Sequence, residues 1–366
     1  MSTNNRTGRK RDYVGVLSSV FAIVIGLLVG FVILLICNPS QALPGFVTIL
    51  TGAFTHGLKG VGQVFYYATP IILTGLSVGF AFKTGLFNIG TPGQFIVGAF
   101  AAVYVGIMWT GLGRIQWAVA LLAAILGGAL WGMVPGFLKA CFNVNEVIAS
   151  IMMNYIGMYM VNWIVKSYKP LFNNLRNESR NVAATAQIPK MGMDKLFPES
   201  SVGGGILLAI AAVLIIWVIL NKTTFGYELK AVGFNRDASR YAGINEKRNI
   251  IMSMVIAGAI AGMAGGLLYL AGTGKHIEIK DVLAPEGFTG ISVALLGLSH
   301  PIGVLFSGLF IAYLTAGGFY LQLFEFSTEI IDIIVAVIIY FSAFALIVKT
   351  ILTRMNRKRE KGDGRT

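Results

Sequence analysis

Apolar residues in this chain cluster in long blocks broken by short polar stretches, with little of the strict alternation that marks a half-buried strand. A helix that crosses a bilayer needs about 20 mostly apolar residues. Blocks of that order fall at roughly 14–36, 61–82, 94–111, 116–140, 146–166, 203–220, 249–271, 285–299, 301–321 and 328–350. They predict an all-α fold, a polytopic integral membrane helix bundle of about ten transmembrane helices. The first block follows Arg6, Arg9, Lys10 and Arg11, as in a signal peptide. It is too long for one, however, and ends on Cys37-Asn38-Pro39 rather than a small-residue cleavage site, so it reads as a retained helix. Ser299-His300-Pro301 is either a tight turn between two spans or a kink inside one broken helix.

Composition sharpens this picture. Charged residues make up 12% of the chain and hydrophobic ones 55%. A soluble domain carries about 25% charged residues, so this chain could neither coat a globule nor remain disordered. The 45 glycines suit close packing of membrane helices, and the pairs Gly258/Gly262 and Gly262/Gly266 have the spacing for it. A net charge of +13 raises the question of nucleic acid, but the basic residues gather at the ends and in loops, which is the pattern that fixes membrane orientation. An even number of spans puts both termini on the cytoplasmic side. That topology places 19 of the 29 Lys and Arg residues inside and 10 outside. It divides the chain into a basic cytoplasmic N-terminus (1–13), a transmembrane domain (14–350) and a basic cytoplasmic tail (351–366). Two long loops stand out, an extracytoplasmic one at 167–202 and a cytoplasmic one at 221–248. Cys37 and Cys141 fall on opposite sides and read as unpaired packing groups.

Four stretches bear on chemistry. Gly272-Thr273-Gly274-Lys275-His276 resembles a phosphate loop only superficially: Tyr269 stands where the first glycine is needed, and His276 where a Ser or Thr is needed. His56, His276 and His300 lack metal-ligand spacing, so no metal or cofactor is expected. Gly85-Leu86-Phe87-Asn88-Ile89-Gly90-Thr91-Pro92-Gly93-Gln94 breaks the helical pattern between two spans. It is either a turn at the membrane surface or a broken or re-entrant element near residues 83–94, beside a translocation path and structured by Asn88 and Gln94. Asn143-Val144-Asn145-Glu146 leads into a span that holds Asn154. Glu146, with Glu286 and Asp332, is one of few acids near an apolar block. Such acids tend to be functional, though Asn145 and Glu146 also suit a helix N-terminus. In the 221–248 loop, Asn235 or Asp237 can cap a short helix with Ala238, Tyr241 and Ala242 on one face and Gly243 at its end. A small-residue face of that kind fits docking into a cleft on another protein; the alternative is a solvated connector.

At these stretches the sequence resembles permease subunits of ABC-type importers of the branched-chain amino acid, ribose and nucleoside class, closest to the nucleoside and simple-sugar branch. The likeness lies in Phe87-Asn88-Ile89-Gly90 with Gly93-Gln94, and in Asn145-Glu146-Val147-Ile148 with Met153-Asn154-Tyr155. It extends to Ala231-Val232-Gly233-Phe234-Asn235 through Ala242-Gly243-Ile244, and to Gly290–Gly297 with Pro301-Ile302-Gly303. Pro92 stands where that branch usually has glutamate. The resemblance implies a transport subunit of a bacterial plasma membrane that is not itself an enzyme. Its implied partners are a second permease, identical or related, two cytoplasmic ATPase subunits and an extracytoplasmic substrate-binding lipoprotein. It also implies a coupling role for Gly233, Asn235, Ala238, Tyr241, Ala242 and Gly243. Asn88, Gln94, Glu146 and Asn154 are the candidates for the substrate path. The amides among them offer donors and acceptors without charge, which suits nucleosides, with simple sugars as the alternative. An ion-coupled carrier would need intramembrane carboxylates, whereas Glu146 and Asp332 lie near span ends.

Overall fold

A computed structural model describes residues 21, 23–327, 329, 330, 332–334, 336, 337, 340 and 341. The basic ends 1–13 and 351–366, the start of the first apolar block and most of the block at 328–350 lie outside the described residues. In an apolar slab every backbone N–H and C=O must be paired within the protein, and a helix does this locally. The described chain is accordingly helical, in the order α1 (Ile23–Cys37), α2 (Ala42–Thr55), α3 (Gly57–Lys83), α4 (Thr91–Met108), α5 (Gln116–Phe142) and α6 (Glu146–Ser167). A short hairpin of β1 (Phe172–Asn173) and antiparallel β2 (Glu178–Ser179) follows, then the single turn α7 (Met193–Leu196). The chain continues with α8 (Gly205–Lys222), α9 (Thr224–Phe234), α10 (Arg236–Tyr241), α11 (Glu246–Tyr269), α12 (Pro285–Leu296) and α13 (Pro301–Phe319).

Among the described residues, seven helical stretches are long and apolar enough to cross a membrane. They match seven of the ten apolar blocks; those at 14–36 and 328–350 are only partly described, and two departures remain. The block at 285–299 is only the 12-residue α12, about 18 Å long and too short to span a core of about 30 Å. It ends at Leu296, Leu298 and Ser299 take left-handed φ angles of 53°, and α13 restarts at Pro301. Ser299-His300-Pro301 is thus a tight turn, but only one of the helices it joins is of spanning length. The second departure is α2, 14 residues long and too short to register as a block.

α11 lies at the centre, against α3, α4 and α5. Glycines let it approach closely. A Cβ on Gly128 of α5 would lie 2.7 Å from Gly262 Cα, and one on Gly132 would lie 3.1 Å from Gly258 Cα. The 258/262 spacing therefore does the packing that the sequence suggested, with α5 as its partner. α5, α6 and α8 leave long apolar faces exposed, including Leu122, Leu126 and Leu130 on α5 and Leu214, Ile215 and Val218 on α8. Such faces suit lipid or a neighbouring subunit. Cys37 and Cys141 are exposed and form no disulfide, so they are not the packed groups that the sequence suggested.

Gly128→Leu is expected to push α5 off α11 and lower the melting temperature of the solubilised protein, since overpacking costs about 1–3 kcal/mol or more. Gly111→Ala, at a position with open space around it, should leave melting unchanged. Equal melting of both variants would mean that the glycine contact does not hold the helices.

Candidate functional site

α3 stops at Lys83 and α4 starts at Thr91, with the non-helical Thr84–Gly90 between them. Gly85 takes a φ of 77°, a conformation open to glycine and costly for other residues, and Pro92 sits in the first turn of α4, where its missing N–H costs nothing. The segment does not run along the end of the bundle. Asn88 reaches back to Ser77 of α3, its Nδ2 donating to Oγ at 3.3 Å. Ser77 lies six residues, about 9 Å, before the end of α3, so α4 begins inside the bundle.

Side-chain amides pair the groups that this break leaves over. Asn88 Oδ1 accepts from the Gly90 N–H and from Gln94 Nε2, both at 3.1 Å, while Asn88 Nδ2 also donates to Gln94 Oε1 at 2.9 Å. Both donors and both acceptor positions of Asn88 are used. From α6, Asn154 Oδ1 accepts the Gly93 N–H at 2.9 Å and its Nδ2 donates to the Ile89 carbonyl at 3.0 Å. Asn88, Gln94 and Asn154 are all buried. The Ser77 hydroxyl donates to the Ala257 carbonyl at 2.7 Å, and the Thr84 and Ser253 hydroxyls bond to each other, tying the break to α11.

Three of the four path candidates, Asn88, Gln94 and Asn154, thus come together in one hydrogen-bonded group. Glu146 stands apart, eight residues and about 12 Å along α6 from Asn154. Its carboxylate pairs with Lys139 Nζ at 2.8 Å, while Asn145 Oδ1 caps α6 by accepting from the Val147 and Ile148 N–H groups at 2.9 and 3.4 Å. Sequence reasoning passed over Ser77, Thr84, Ser253 and Trp131, whose indole N–H donates to the Met153 carbonyl at 3.1 Å. The three hydroxyls were legible only as isolated polar residues within or beside apolar runs.

The 221–248 loop contains two helices. Thr223 Oγ1 caps α9 through the Gly226 N–H at 3.0 Å, and Asn235 Oδ1 caps α10 through the Ala238 N–H at 3.0 Å. Of the two sequence candidates Asn235 is the cap, and Asp237 sits in the first turn. Gly243 ends the turn at a φ of 79°. Ala238, Tyr241 and Ala242 are exposed, Tyr241 at 95% and neighbouring Phe234 at 90%, so the pair presents an unoccupied surface. Sequence reasoning missed α9, and with it the placement of Gly233. A Cβ on Gly233 would lie 2.6 Å from the Thr84 carbonyl carbon, and one on Gly85 would lie 2.5 Å from Gly233 Cα. The helix pair therefore rests backbone to backbone on the start of the break. Arg236–Glu246 at 3.6 Å and Asn249 Nδ2 to Glu228 Oε2 at 3.2 Å hold it to the first turns of α11.

Among the described residues, seven apolar helices of spanning length make this a multi-pass membrane protein. The family model for the branched-chain amino acid transport system / permease component matches residues 60–343, and the chain belongs to that family. Its relatives are transport components rather than enzymes. One is the guanosine ABC transporter permease protein NupP of Bacillus subtilis, 38% identical over 93% of this chain and 96% of that protein. Another is the nucleoside ABC transporter permease protein NupB of Lactococcus lactis subsp. cremoris, 34% identical over 96% of this chain and 95% of that protein. The glucose ABC transporter permease protein TsgB13 of Haloferax volcanii is 32% identical over 81% of this chain and 78% of its own length. No solved structure matches the chain.

Asn154→Leu strands the Gly93 N–H and the Ile89 carbonyl at about 1–3 kcal/mol each. The variant is expected to melt earlier, and Asn154→Ser to recover part of the loss. Melting unchanged in Asn154→Leu would show that the amide does not hold the break.

Proposed function

We propose that this chain is the permease subunit of an ABC importer for nucleosides. The near full-length similarity to two permeases named for guanosine and for nucleosides is the observation that carries this reading. In it, the chain pairs with a second permease, two cytoplasmic ATPase subunits drive the complex, and an extracytoplasmic binding lipoprotein delivers the solute. The path borders the break, with Asn88, Gln94 and Asn154 holding its wall and Glu146 at its cytoplasmic margin. A simple sugar is the second reading, favoured by the glucose permease relative.

The charge bias supports an orientation in which both termini, the α3–α4 break and the α9–α10 pair face the cytoplasm and the 167–202 loop faces out. The exposed face of Ala238, Tyr241 and Ala242, set by the Asn235 cap and the Gly243 turn, docks on the ATPase. Movement there passes through Gly233 to Gly85, and then through the amide group to α4 and α6.

Uptake of labelled guanosine, adenosine, ribose and galactose into cells with and without the gene tests the substrate. Gene-dependent entry of the nucleosides is expected, and gene-dependent entry of sugars alone would overturn the nucleoside assignment. In the same assay Gly233→Leu should abolish uptake with the protein still in the membrane, and normal uptake would remove the coupling route. In a background lacking Cys37 and Cys141, Leu175→Cys should label from outside with an impermeant thiol reagent, and Tyr241→Cys only after the membrane is opened. The reverse pattern would invert the topology.

A further inference from the structure

The Gly272–His276 segment, which is no phosphate loop, meets α3 at Tyr66, far along that helix from the Gly85–Gly233 junction. There the Thr273 and Tyr66 hydroxyls lie 3.1 Å apart, and the Tyr66 and Tyr67 rings meet edge to face with centroids 5.3 Å apart. Lys275 Nζ lies 3.0 Å from Glu286 Oε1 in the first turn of α12, with the lysine side chain 42% exposed and the glutamate 22%. Tyr66 precedes Lys83 by 17 residues, about 25 Å along α3, so this cluster and the coupling junction are well separated on one helix. The next residue after Glu286, Gly287, packs on Pro92 so tightly that a Cβ there would lie 2.6 Å from its Cα. The cluster and the break therefore share a wall.

We propose that Tyr66, Tyr67, Thr273, Lys275 and Glu286 form the permease's own reception site for a ribonucleoside, on the side that receives it from the binding protein. The assignment rests on the nucleoside reading above. A carboxylate accepts hydrogen bonds from the vicinal hydroxyls of a ribose, as acidic residues do in dinucleotide sites. Tyrosine rings offer a face on which any base stacks. The ammonium donates to base or sugar acceptors, and Thr273 and the Tyr66 hydroxyl do either. Burial alone lowers the pKa of Lys275, but the charge and hydrogen bond of Glu286 raise it and prevail, which holds the proton on the ammonium. A half-exposed ion pair of this kind adds little to stability. Its position over the start of α4 gives it another use: solute that draws Glu286 away from Lys275 acts on the residue beside the Gly287–Pro92 contact.

The test compares uptake of guanosine with that of 2′,3′-dideoxyguanosine in cells carrying the complete importer. The binding protein is the same throughout, so a changed ratio belongs to the permease. Glu286→Gln is expected to lower the preference for guanosine about ten-fold, the worth of a charge-assisted hydrogen bond. The exchanged pair Lys275→Glu/Glu286→Lys should keep the low ratio, because it restores an ion pair without returning the carboxylate to its place. A ratio unmoved by Glu286→Gln, or restored by the exchange, overturns the site and leaves a structural latch. Should Glu286→Gln fail to reach the membrane, Tyr67 decides: Tyr67→Leu should slow both solutes about ten-fold and Tyr67→Phe neither, while equal effects would refute stacking. Absence of gene-dependent guanosine entry in the wild type would bring down the nucleoside reading together with the site. Intact entry with an unmoved ratio would bring down the site alone.

Discussion

A helix broken inside an apolar bundle leaves backbone donors and acceptors that water cannot reach, and side chains from α3, α4, α6 and the break itself are arranged to pair them. Asn88 and Asn154 supply those partners from side chains. Because Asn88 is saturated by Gly90, Gln94 and Ser77, it is a fixed strut rather than a hand held out to solute. In the proposed transport path the amides would shape the wall, and a solute would meet that wall without competing for its hydrogen bonds. An interior of low dielectric makes such a group costly to leave half paired, which is a reason for it to move as a unit.

That unit is reached from two directions. On one side Gly233 of α9 touches Thr84 and Gly85, where only glycines allow the backbones to meet. On the other, Gly287 of the half-length α12 sits on Pro92, one residue from the Lys275–Glu286 pair. Solute arriving at one end and an ATPase acting at the other would bear on the same short stretch of chain. α11 ties the two together, bonded to the break through Ser253 and Ala257 and packed on α5 through Gly258 and Gly262.

Much of this could be read from the residues. Long apolar blocks gave the helices, the density of Gly, Pro, Asn and Gln at 85–94 marked the break, and Asn235 with Gly243 bounded α10. What escaped detection has several physical causes. α12 and α2 are shorter than a span, and periodicity does not separate a half-helix from a full one when both are apolar throughout. α9 is amphipathic only weakly and lies among polar loop residues. The ion pair of Glu146 with Lys139 of the preceding helix was not legible either, because only the Asn143–Asn145 turn brings the two together. The Gly85–Gly233 contact joins residues nearly 150 positions apart, and sequence carries no signal for it without the fold.

The central claim is that the buried amides act as one unit holding the break. A double-mutant cycle of Asn88→Ala and Gln94→Ala, read by thermal or denaturant melting of the solubilised protein, tests it most directly. Residues sharing one hydrogen-bond network couple by about 0.5–3 kcal/mol, so the double variant should lose clearly less stability than the two single losses combined. Losses that add within about 0.5 kcal/mol would contradict the account, because independent residues could not be sharing the work of closing the break.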